Sequence, residues 1–394
     1  MKPQRLNFKP VWLAGLLLMM VVGCSGEGSG GEQHLFESLS PKVTGIDFEN
    51  RLTFDPDFNI YKYRNFYDGG GVAIGDINGD GLPDIFLTGN QVPNRLYLNR
   101  GNYQFEDITE SAGVAGSMKW STGVSMADLT GNGLMDIYVT NSGLFPAEER
   151  KNELFINNGD LTFTERAAEF GLDDTGFGIH ALFFDYDGDG DLDLYLLNNS
   201  NRAIGSFDIS QNERHLRHEG GGDKLFRNDG GVFTDVSEKA GIYGSEIGFG
   251  LSASVSDVNR DGLPDIYVAN DFFERDYLYL NNGDGTFREV LEEQMGSISA
   301  SSMGSDIADL TNNGWPDIYV ADMLPADDRR LKTITTFETW ELYNNKSEYG
   351  FGHQFTRNTL QLNNGDGTYS EVGRLTGTEA TDWSWAVLIA DYDN

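Results

Sequence analysis

An acidic motif of nine residues that returns five times constrains this chain more than any other feature. The copies begin at Asp76, Asp128, Asp185, Asp257 and Asp309, so one repeat is about 50 residues long. In every copy, oxygen-bearing side chains occupy positions 1, 3, 5 and 9, and glycine occupies position 6. A hard cation such as calcium takes about six to eight oxygen ligands, and glycine permits the sharp turn of the backbone around it. The five copies therefore predict five calcium loops.

The predicted ligands are the side chains at those four positions. They are Asp76, Asn78, Asp80 and Asp84 in the first loop, Asp128, Thr130, Asn132 and Asp136 in the second, Asp185, Asp187, Asp189 and Asp193 in the third, Asp257, Asn259, Asp261 and Asp265 in the fourth, and Asp309, Thr311, Asn313 and Asp317 in the fifth. Asp391 and Asp393 stand at positions 1 and 3 of a sixth copy. Because affinity should rise with the number of carboxylates, the third loop should bind most tightly and the second and fifth most weakly. The alternative for the weak loops is an Asx-type turn that needs no metal.

The residues around each loop predict a turn between two strands. An EF-hand needs Glu at position 12, where the five copies have leucine or valine. The loop follows runs such as GVAIGD (71–76) and leads into runs such as DIFLT (84–88), which are short and rich in strand-forming residues. Further strands are predicted at segments such as NRLYLNRG (94–101) and FEDIT (105–109). Four short antiparallel strands per repeat are typical of a propeller blade.

Together, GVAIGDINGDGLPDIFLTGN and NRLYLNRGNYQFEDITESAGV resemble the FG-GAP/VCBS repeats, which build β-propellers like that of the integrin α-subunit. The resemblance covers about residues 68–394. It implies an all-β fold, a β-propeller of four-stranded antiparallel blades with calcium between the first two strands. It also suggests a Bacteroidetes-type surface lipoprotein, in which an ASPIC/UnbV domain often follows the repeats, although no such domain is visible here. Since WAVLIAD (385–391) begins another repeat, we expect five blades and the start of a sixth, in a C-terminally truncated fragment of a seven-bladed protein.

The N-terminus has the features of an export signal followed by a lipid anchor. Basic residues precede an apolar run at 11–22, which is too short for a bilayer span of about 20 residues but suits a signal-peptide core. The run ends in VVGC, which looks like a lipobox, so residues 1–23 are predicted to be a signal peptide and Cys24 the lipidated residue. An ordinary secretory signal is the alternative. Residues 24–45 are predicted to be a flexible tether and residues 46–394 the propeller. These features predict an outer-membrane lipoprotein of the cell envelope, with exposure at the cell surface left open.

Composition bears on the class of partner and of activity. The formal net charge is −34, and it becomes −37 once residues 1–23 are removed. Nucleic acid is excluded as a partner, because phosphate binding needs a basic surface. No nucleophile elbow, zinc signature, P-loop or dinucleotide fingerprint is present in the sequence. We therefore predict a protein that is not an enzyme, with no catalytic residues and with calcium as a structural cofactor. The alternative is a carbohydrate-active lyase or hydrolase whose carboxylate pair lies among the 62 acidic residues.

Two long insertions between the second and third strands of a repeat predict the binding face. They span residues 194–222 and 322–357, and in an integrin-like propeller they lie opposite the calcium turns. The second insertion carries residues suited to sugar rings or protein hot spots, namely Arg329, Arg330, Trp340, Tyr343, Tyr349 and Phe351. The predicted partner is a polysaccharide or a protein, and the membrane is contacted through the lipid anchor. The alternative is a small capping helix that buries these aromatic residues. Residues 52–67 are predicted to add a strand that closes the ring.

Overall fold

Five antiparallel sheets of four strands form the main unit of the computed structural model, which describes residues 36–218, 220–335 and 338–392. This unit spans Ser40–Ala390. In each of the five sheets the strands are paired in chain order, which confirms the predicted blade. The predicted signal peptide, Cys24 and Asp393 lie outside the described residues, so they stay predictions.

The strands of the five blades follow the four predicted segments of each repeat. Blade one contains β1 Val72–Gly75, β2 Asp84–Leu87, β3 Arg95–Asn99 and β4 Phe105–Asp107; blade two contains β5 Ser121–Ala127, β6 Asp136–Asn141, β7 Glu153–Asn157 and β8 Phe163–Glu165; blade three contains β9 Gly178–Phe184, β10 Asp193–Asn198, β11 Lys224–Asn228 and β12 Phe233–Asp235; blade four contains β13 Gly250–Ser256, β14 Asp265–Asn270, β15 Tyr277–Asn281 and β16 Phe287–Glu289; blade five contains β18 Ser305–Ala308, β19 Asp317–Val320, β21 Thr359–Asn363 and β22 Tyr369–Glu371. A small parallel sheet pairs β17 Ile298–Ser299 with β20 Gln354–Phe355.

Short helices connect the blades and fill the insertions. The α-helices are α1 Pro41–Thr44, α2 Thr109–Ala112, α3 Ala167–Phe170, α4 Ser237–Ala240, α5 Leu291–Gln294, α6 Asp328–Ile334, α7 Trp340–Glu348 and α8 Gly373–Thr376, and the 3-10 helices are Arg64–Tyr67, Ala147–Glu149, Ile204–Ser206, Ile209–Gln211 and Glu213–His215. The single helical turn after the fourth strand was not predicted, although its signal is in the sequence: in four blades a glycine with positive φ ends it. Within the described ranges, every helix falls short of the length and apolar character that a bilayer span requires.

Apolar residues are buried mainly between neighbouring blades. In blades two, three and four the second strand is buried along its whole length, because it lies inside its sheet and both of its faces are covered. The first strands of successive blades are neighbours, in the order β1, β5, β9, β13 and β18. They surround a central channel of about 350 Å³. Residues 385–387 line the same channel, and the Ile389 amide donates to the Asp306 side chain of β18 at 2.7 Å, so this segment takes the place of a sixth leading strand.

The link between the second and third strands is fixed by a repeated pair of side chains. An Asn or Asp just before the third strand accepts the amide N–H at the end of the second strand, as Asp223 does from Asn198 at 3.1 Å. In four blades its other polar atom meets a tyrosine hydroxyl: the pairs are Asn152 with Tyr138, Asp223 with Tyr195, Asp276 with Tyr267, and Asn358 with Tyr319. Blade one has Phe86 in place of the tyrosine, and the Nδ2 of its Asn94 has no hydrogen-bond partner in the described part of the chain.

The prediction that residues 52–67 add a strand is wrong. The segment ends in the 3-10 helix Arg64–Tyr67 and packs its aromatic rings around Trp120 of the following repeat. The ring centroids of Phe58 and Tyr63 lie 5.0 and 5.5 Å from that of Trp120, and Tyr63 and Phe66 are buried. Burying these aromatic side chains contributes more than pairing an edge strand would, because the rings remove large apolar areas from water.

Candidate functional site

The first aspartate of each acidic loop caps the turn with its carboxylate. In the first loop the Oδ1 of Asp76 accepts the amide N–H groups of Gly79 and Asp80 at 2.8 and 3.2 Å, and its Oδ2 accepts that of Gly81 at 2.7 Å. These amide groups, with that of Gly81 first, lower the pKa of Asp76. The other four loops repeat the bond from position 6 to position 1. The carboxylate at position 1 is therefore fixed in place by amide donors of its own loop.

The last aspartate of each loop is buried and ties the turn to the third strand. In the first loop the Oδ2 of Asp84 accepts the Ile77 amide at 3.0 Å and its Oδ1 accepts the Asn99 amide at 2.7 Å. Both bonds recur in the other four blades. Burial raises the pKa of Asp193 and of Asp265 to about 7. Two amide donors thus hold this carboxylate without offsetting the cost of burying its charge.

The third loop differs from the others in its charge. In the first and fourth loops the position-3 side chain is asparagine, and its Nδ2 donates to the position-5 carboxylate, as from Asn78 to Asp80 at 3.0 Å. The third loop has Asp187 at that position, which has no amide hydrogen to donate. Burial raises the pKa of Asp187, and the charges of Asp189 and Asp185 raise it further. This loop gathers negative charge that a cation would neutralise.

The spacing of oxygen atoms in the third loop suits a calcium ion. Oxygen atoms of Asp185, Asp187 and Asp193 lie within 4.8 Å of one another, and this is the one group of its kind in the described residues. Two ligands on opposite sides of an ion with Ca–O bonds of about 2.4 Å are themselves about 4.8 Å apart, so one ion fits among the three. All three ligands are hard oxygen donors, which suits calcium better than a softer metal. In the second and fifth loops, positions 3 and 5 carry threonine and asparagine, so fewer charged ligands are present.

Sequence reasoning missed an asparagine that connects neighbouring turns. It is the Asn in motifs such as LYLNNG, at the end of the third strand. The Nδ2 of Asn157 donates to the Ile77 carbonyl of the preceding blade at 2.8 Å, and that of Asn281 donates to the Tyr186 carbonyl at 2.7 Å. Because the backbone N–H of the same residue donates to the position-9 aspartate of its own loop, it joins two acidic turns. The invariant Asn of the repeat was the available signal, but its partner lies in another blade.

The insertion of blade five places its aromatic and basic residues in different environments. Phe351 is buried and Tyr349 half-buried in a cluster with Phe273 of blade four, so neither contributes to an open face. Arg330 pairs with Asp382, its Nε and Nη2 donating at 2.5 and 2.9 Å. Arg329 is exposed on α6. Trp340 and Tyr343 both lie on α7, and the indole of Trp340 is 70% exposed.

These two residues line an open groove of about 790 Å³, here named the aromatic groove. Its apolar wall is formed by Trp340, Tyr343 and Phe355, together with Leu324 and Leu331. The planes of the Trp340 and Tyr343 rings lie within 22° of each other at a centroid distance of 5.6 Å, and those of Tyr343 and Phe355 within 35° at 5.9 Å. The groove is at the end of the blades where the second strand leaves the sheet. The acidic turns are at the other end, because the second strand starts there.

A buried ion pair fixes the insertions of blades three and five to blade four. The Nε of Arg214 donates to Glu274 at 2.6 Å, and both side chains are almost fully enclosed. The Nη2 of Arg214 donates to the Gly350 carbonyl at 3.0 Å, and its guanidinium lies 5.3 Å from the centroid of the Phe351 ring. The contacts join residues about 60 and 136 positions apart in the chain. These contacts anchor the insertions of blades three and five to blade four.

Further carboxylates with raised pKa lie on this side of the molecule. Burial raises the pKa of Asp68 and of Asp271 to about 6. Asp322 is fully buried, and its Oδ2 accepts the Ser299 hydroxyl at 2.5 Å and the amide groups of Ser301 and Arg357 at 3.2 and 3.1 Å. Donors enclose the Asp322 carboxylate on several sides, so it acts as a structural acceptor.

The repeats can now be assigned by comparison. The family model for the FG-GAP-like repeat matches residues 59–139, 144–196 and 257–320, which together make up half of the chain. The chain belongs to the FG-GAP-like repeat family. The matched FG-GAP segments contain all five acidic loops in full, and the five four-stranded sheets are the blades of its propeller.

Curated proteins share parts of the FG-GAP region. Cartilage acidic protein 1 of Xenopus tropicalis is 28% identical over 211 residues, covering 52% of this chain and 29% of that protein. Integrin alpha-7 of Homo sapiens is 37% identical over 91 residues, covering 20% of this chain and 8% of the integrin. The chain therefore spans less than a third of the length of these relatives. Among solved structures, a lectin of Agrocybe aegerita, described as recognising non-reducing terminal N-acetylglucosamine, is similar with a TM-score of 0.42 and 21% identity, covering 76% of this chain and 64% of the lectin chain.

Proposed function

We propose that this FG-GAP propeller is a calcium-stabilised, lipid-anchored binding protein of the cell envelope that holds a polysaccharide in the aromatic groove. The observation that carries the proposal is the exposure of Trp340 beside Tyr343 in an open groove. Aromatic rings contribute large apolar contact areas at little cost in side-chain entropy. A flat, open aromatic wall suits the apolar faces of sugar rings. A protein hot spot is the alternative ligand for the same wall.

The groove is tested by a pair of tryptophan variants. We expect Trp340→Ala to abolish the binding of saccharides that the unchanged protein retains on a glycan array. Trp383→Ala is the matched control, because Trp383 is 55% exposed and is not part of the groove lining. If the two variants bind equally well, the groove is not the site. If a protein partner and no glycan is retained through Trp340, the ligand class is wrong.

Calcium is proposed as a structural cofactor of the turns, tightest in the third loop. The turns lie in successive blades rather than around one substrate position. An ion there would neutralise the buried carboxylates and clamp the first two strands of a blade. A ligand that binds only the folded state stabilises it by about 2.7 kcal/mol at a hundredfold excess over Kd. We expect a chelator to lower the melting temperature, and an unchanged melting temperature would refute the structural role.

The ranking of the sites has its own test by titration calorimetry. Asp187→Asn gives the third loop the asparagine that the first and fourth loops have at this position. We expect it to weaken the tightest calcium site, since one of the three converging carboxylates is lost. Asn132→Ala in the second loop should leave the calcium affinity of the tightest site, in the third loop, unchanged. A larger effect of Asn132→Ala than of Asp187→Asn would overturn the ranking.

The lipid anchor and the envelope location rest on the sequence of the first 24 residues. In a bacterial host, Cys24→Ser should abolish incorporation of labelled fatty acid and release the protein from the membrane fraction. Retention in that fraction without label would point to another mode of attachment.

The non-enzymatic interpretation is supported by the relatives, which are named as a cartilage acidic protein and an integrin α-chain. The enzymatic alternative would draw on Asp68 and Asp271, which lie near one another and have a raised pKa. A reducing-end assay on every saccharide bound through Trp340 decides between the two. New reducing ends that disappear in Asp271→Asn would establish an enzyme.

A further inference from the structure

We propose that the aromatic groove selects a carboxylated saccharide, such as a uronate oligosaccharide, through Arg374, with Arg357 as the second arginine of the lining. This proposal rests on the proposed function, because it uses the same groove. It concerns the charge of the ligand, which the apolar wall does not determine. The groove is lined by two arginines and one glutamate, so the charges on its wall decide which ligands it favours.

The single acidic residue of the groove lining is neutralised from within the protein. Glu338 forms an ion pair with Lys346, whose side chain is 4% exposed. The Nζ of Lys346 also donates to the Gln354 side chain at 3.0 Å, and Gln354 donates in turn to the carbonyls of Phe273 and Phe351 at 2.9 Å. Glu338 is therefore engaged by a fixed cation below the groove. It adds little repulsion to an incoming carboxylate.

Arg357 lines the groove as the cationic partner of an ion pair. Its Nη2 donates to Glu371 at 2.6 Å, and its guanidinium lies 5.2 Å from the centroid of the Phe355 ring. Its Nε is buried and has no hydrogen-bond partner in the described part of the chain. The partner Glu371 lies outside the groove lining. Arg357 is thus a fixed plate beside the aromatic wall.

Arg374 supplies the unpaired charge. It lies in α8, lines the groove, is exposed, and forms no ion pair within the described ranges. Its planar fork can bind a carboxylate with two parallel hydrogen bonds. A sugar ring on Trp340 that carries a carboxylate toward Arg374 would satisfy both features.

The charge of the rest of the protein sets the size of the ligand. A long polyanion would place its charges against the acidic surface and would be repelled. A short ligand in the groove meets only the protein charges within about 8 Å, because charges beyond this Debye length are screened at physiological ionic strength. We therefore expect the groove to bind a short segment or a chain end. A galacturonate tetrasaccharide and the neutral galactose tetrasaccharide are the matched probes, used at constant calcium and about 0.15 M salt.

Titration calorimetry on the full chain tests the proposal. We expect the galacturonate probe to bind more tightly than the neutral probe, and Arg374→Gln to weaken only the charged probe, by about tenfold to a hundredfold, as for loss of a charge-assisted hydrogen bond. Arg374→Lys should restore part of the loss, since it keeps the charge but not the fork. Arg100→Gln, on the turn end of blade one, is the control for net charge and should change neither affinity.

The outcomes separate the two proposals. If both probes bind equally and both depend on Trp340, the groove binds saccharides but the selection by charge is refuted. If the charged probe binds with the same affinity in Arg374→Gln, its carboxylate goes elsewhere, for example to calcium at the acidic turns, and the proposal is also refuted. If neither probe binds, or if Trp340→Ala leaves both affinities intact, the saccharide groove and its charge selection are both overturned.

Discussion

Asp223→Asn is expected to make the protein more stable at alkaline pH while leaving its hydrogen bonds almost complete. Asp223 is buried, accepts the Tyr195 hydroxyl at 2.8 Å and accepts the Asn198 amide at 3.1 Å. At the equivalent position blades two and five have asparagine, whose Nδ2 donates to the tyrosine hydroxyl at 3.0 Å. The repeat itself therefore shows that the neutral side chain fits.

The sign and size of the effect follow from the pKa of Asp223. Burial raises this pKa from 3.8 to about 7. Between these two values the folded state holds a proton that the unfolded state has released, so the free energy of unfolding falls as the pH rises. The loss is complete above about pH 7 and amounts to about 4 kcal/mol relative to strongly acidic pH. Between pH 5 and pH 8 the same relation gives about 3 kcal/mol, and asparagine removes this dependence.

Urea unfolding at pH 5 and pH 8, in the same saturating calcium, measures the effect. The free energy of unfolding of the variant minus that of the unchanged protein should rise by about 3 kcal/mol between the two pH values. At both pH values the variant should also lose about 1 kcal/mol, because the Tyr195 hydroxyl no longer donates to a carboxylate, and this constant cost cancels from the difference between the two pH values. Asp229→Asn removes the same charge from a side chain that is 54% exposed in the same blade and serves as the control. An equal pH dependence in Asp223→Asn and the unchanged protein would refute the reasoning.

Three further predictions concern the repeat and its cap. Phe86→Tyr should raise the free energy of unfolding by about 1 kcal/mol, because its hydroxyl would accept the unpartnered Nδ2 of Asn94; an unchanged value in urea unfolding would contradict this. Asn281→Ala should lower it by about 1 to 3 kcal/mol through the lost bond to the neighbouring turn, whereas Asn282→Ala, which changes an exposed asparagine, should have less than half that effect. Trp120→Ala should cost about 3 to 5 kcal/mol and expose residues 52–67 to limited proteolysis, and full protection would argue against the aromatic cap.

Much of the fold was accessible from sequence because its determinants are local and repeated. Each acidic loop, the strands around it and the third-strand motif recur within about 50 residues, so each repeat supports the others. The wrong prediction for residues 52–67 concerns a segment that occurs once. Its aromatic residues are equally compatible with a strand and with a buried cap. The contact with Trp120, more than 50 residues later in the chain, decided in favour of the cap.

The aromatic groove was also predictable only in part, because local sequence indicated it and long-range contacts shaped it. The aromatic content of the fifth insertion indicated a binding surface, but the sequence could not separate Trp340, which is exposed, from Phe351, which is buried against blade four. Nor could it single out Phe355, Arg357 and Arg374, which lie beyond the helices of the insertion and reach the groove only in the folded chain. The residues that pack against these side chains come from other elements, and those residues determine which side chains are buried.

The sequence by itself determined the blade, its strand order and the position of every acidic turn, because turn chemistry and strand patterning act over a few residues. The tertiary structure alone decided which carboxylates converge, which asparagine joins one blade to the next, and which arginine is left without a partner beside an aromatic wall. These properties depend on contacts between segments about 50 to 140 residues apart, as in the pairing of Arg214 with Gly350, and only the packing of the blades brings such segments together.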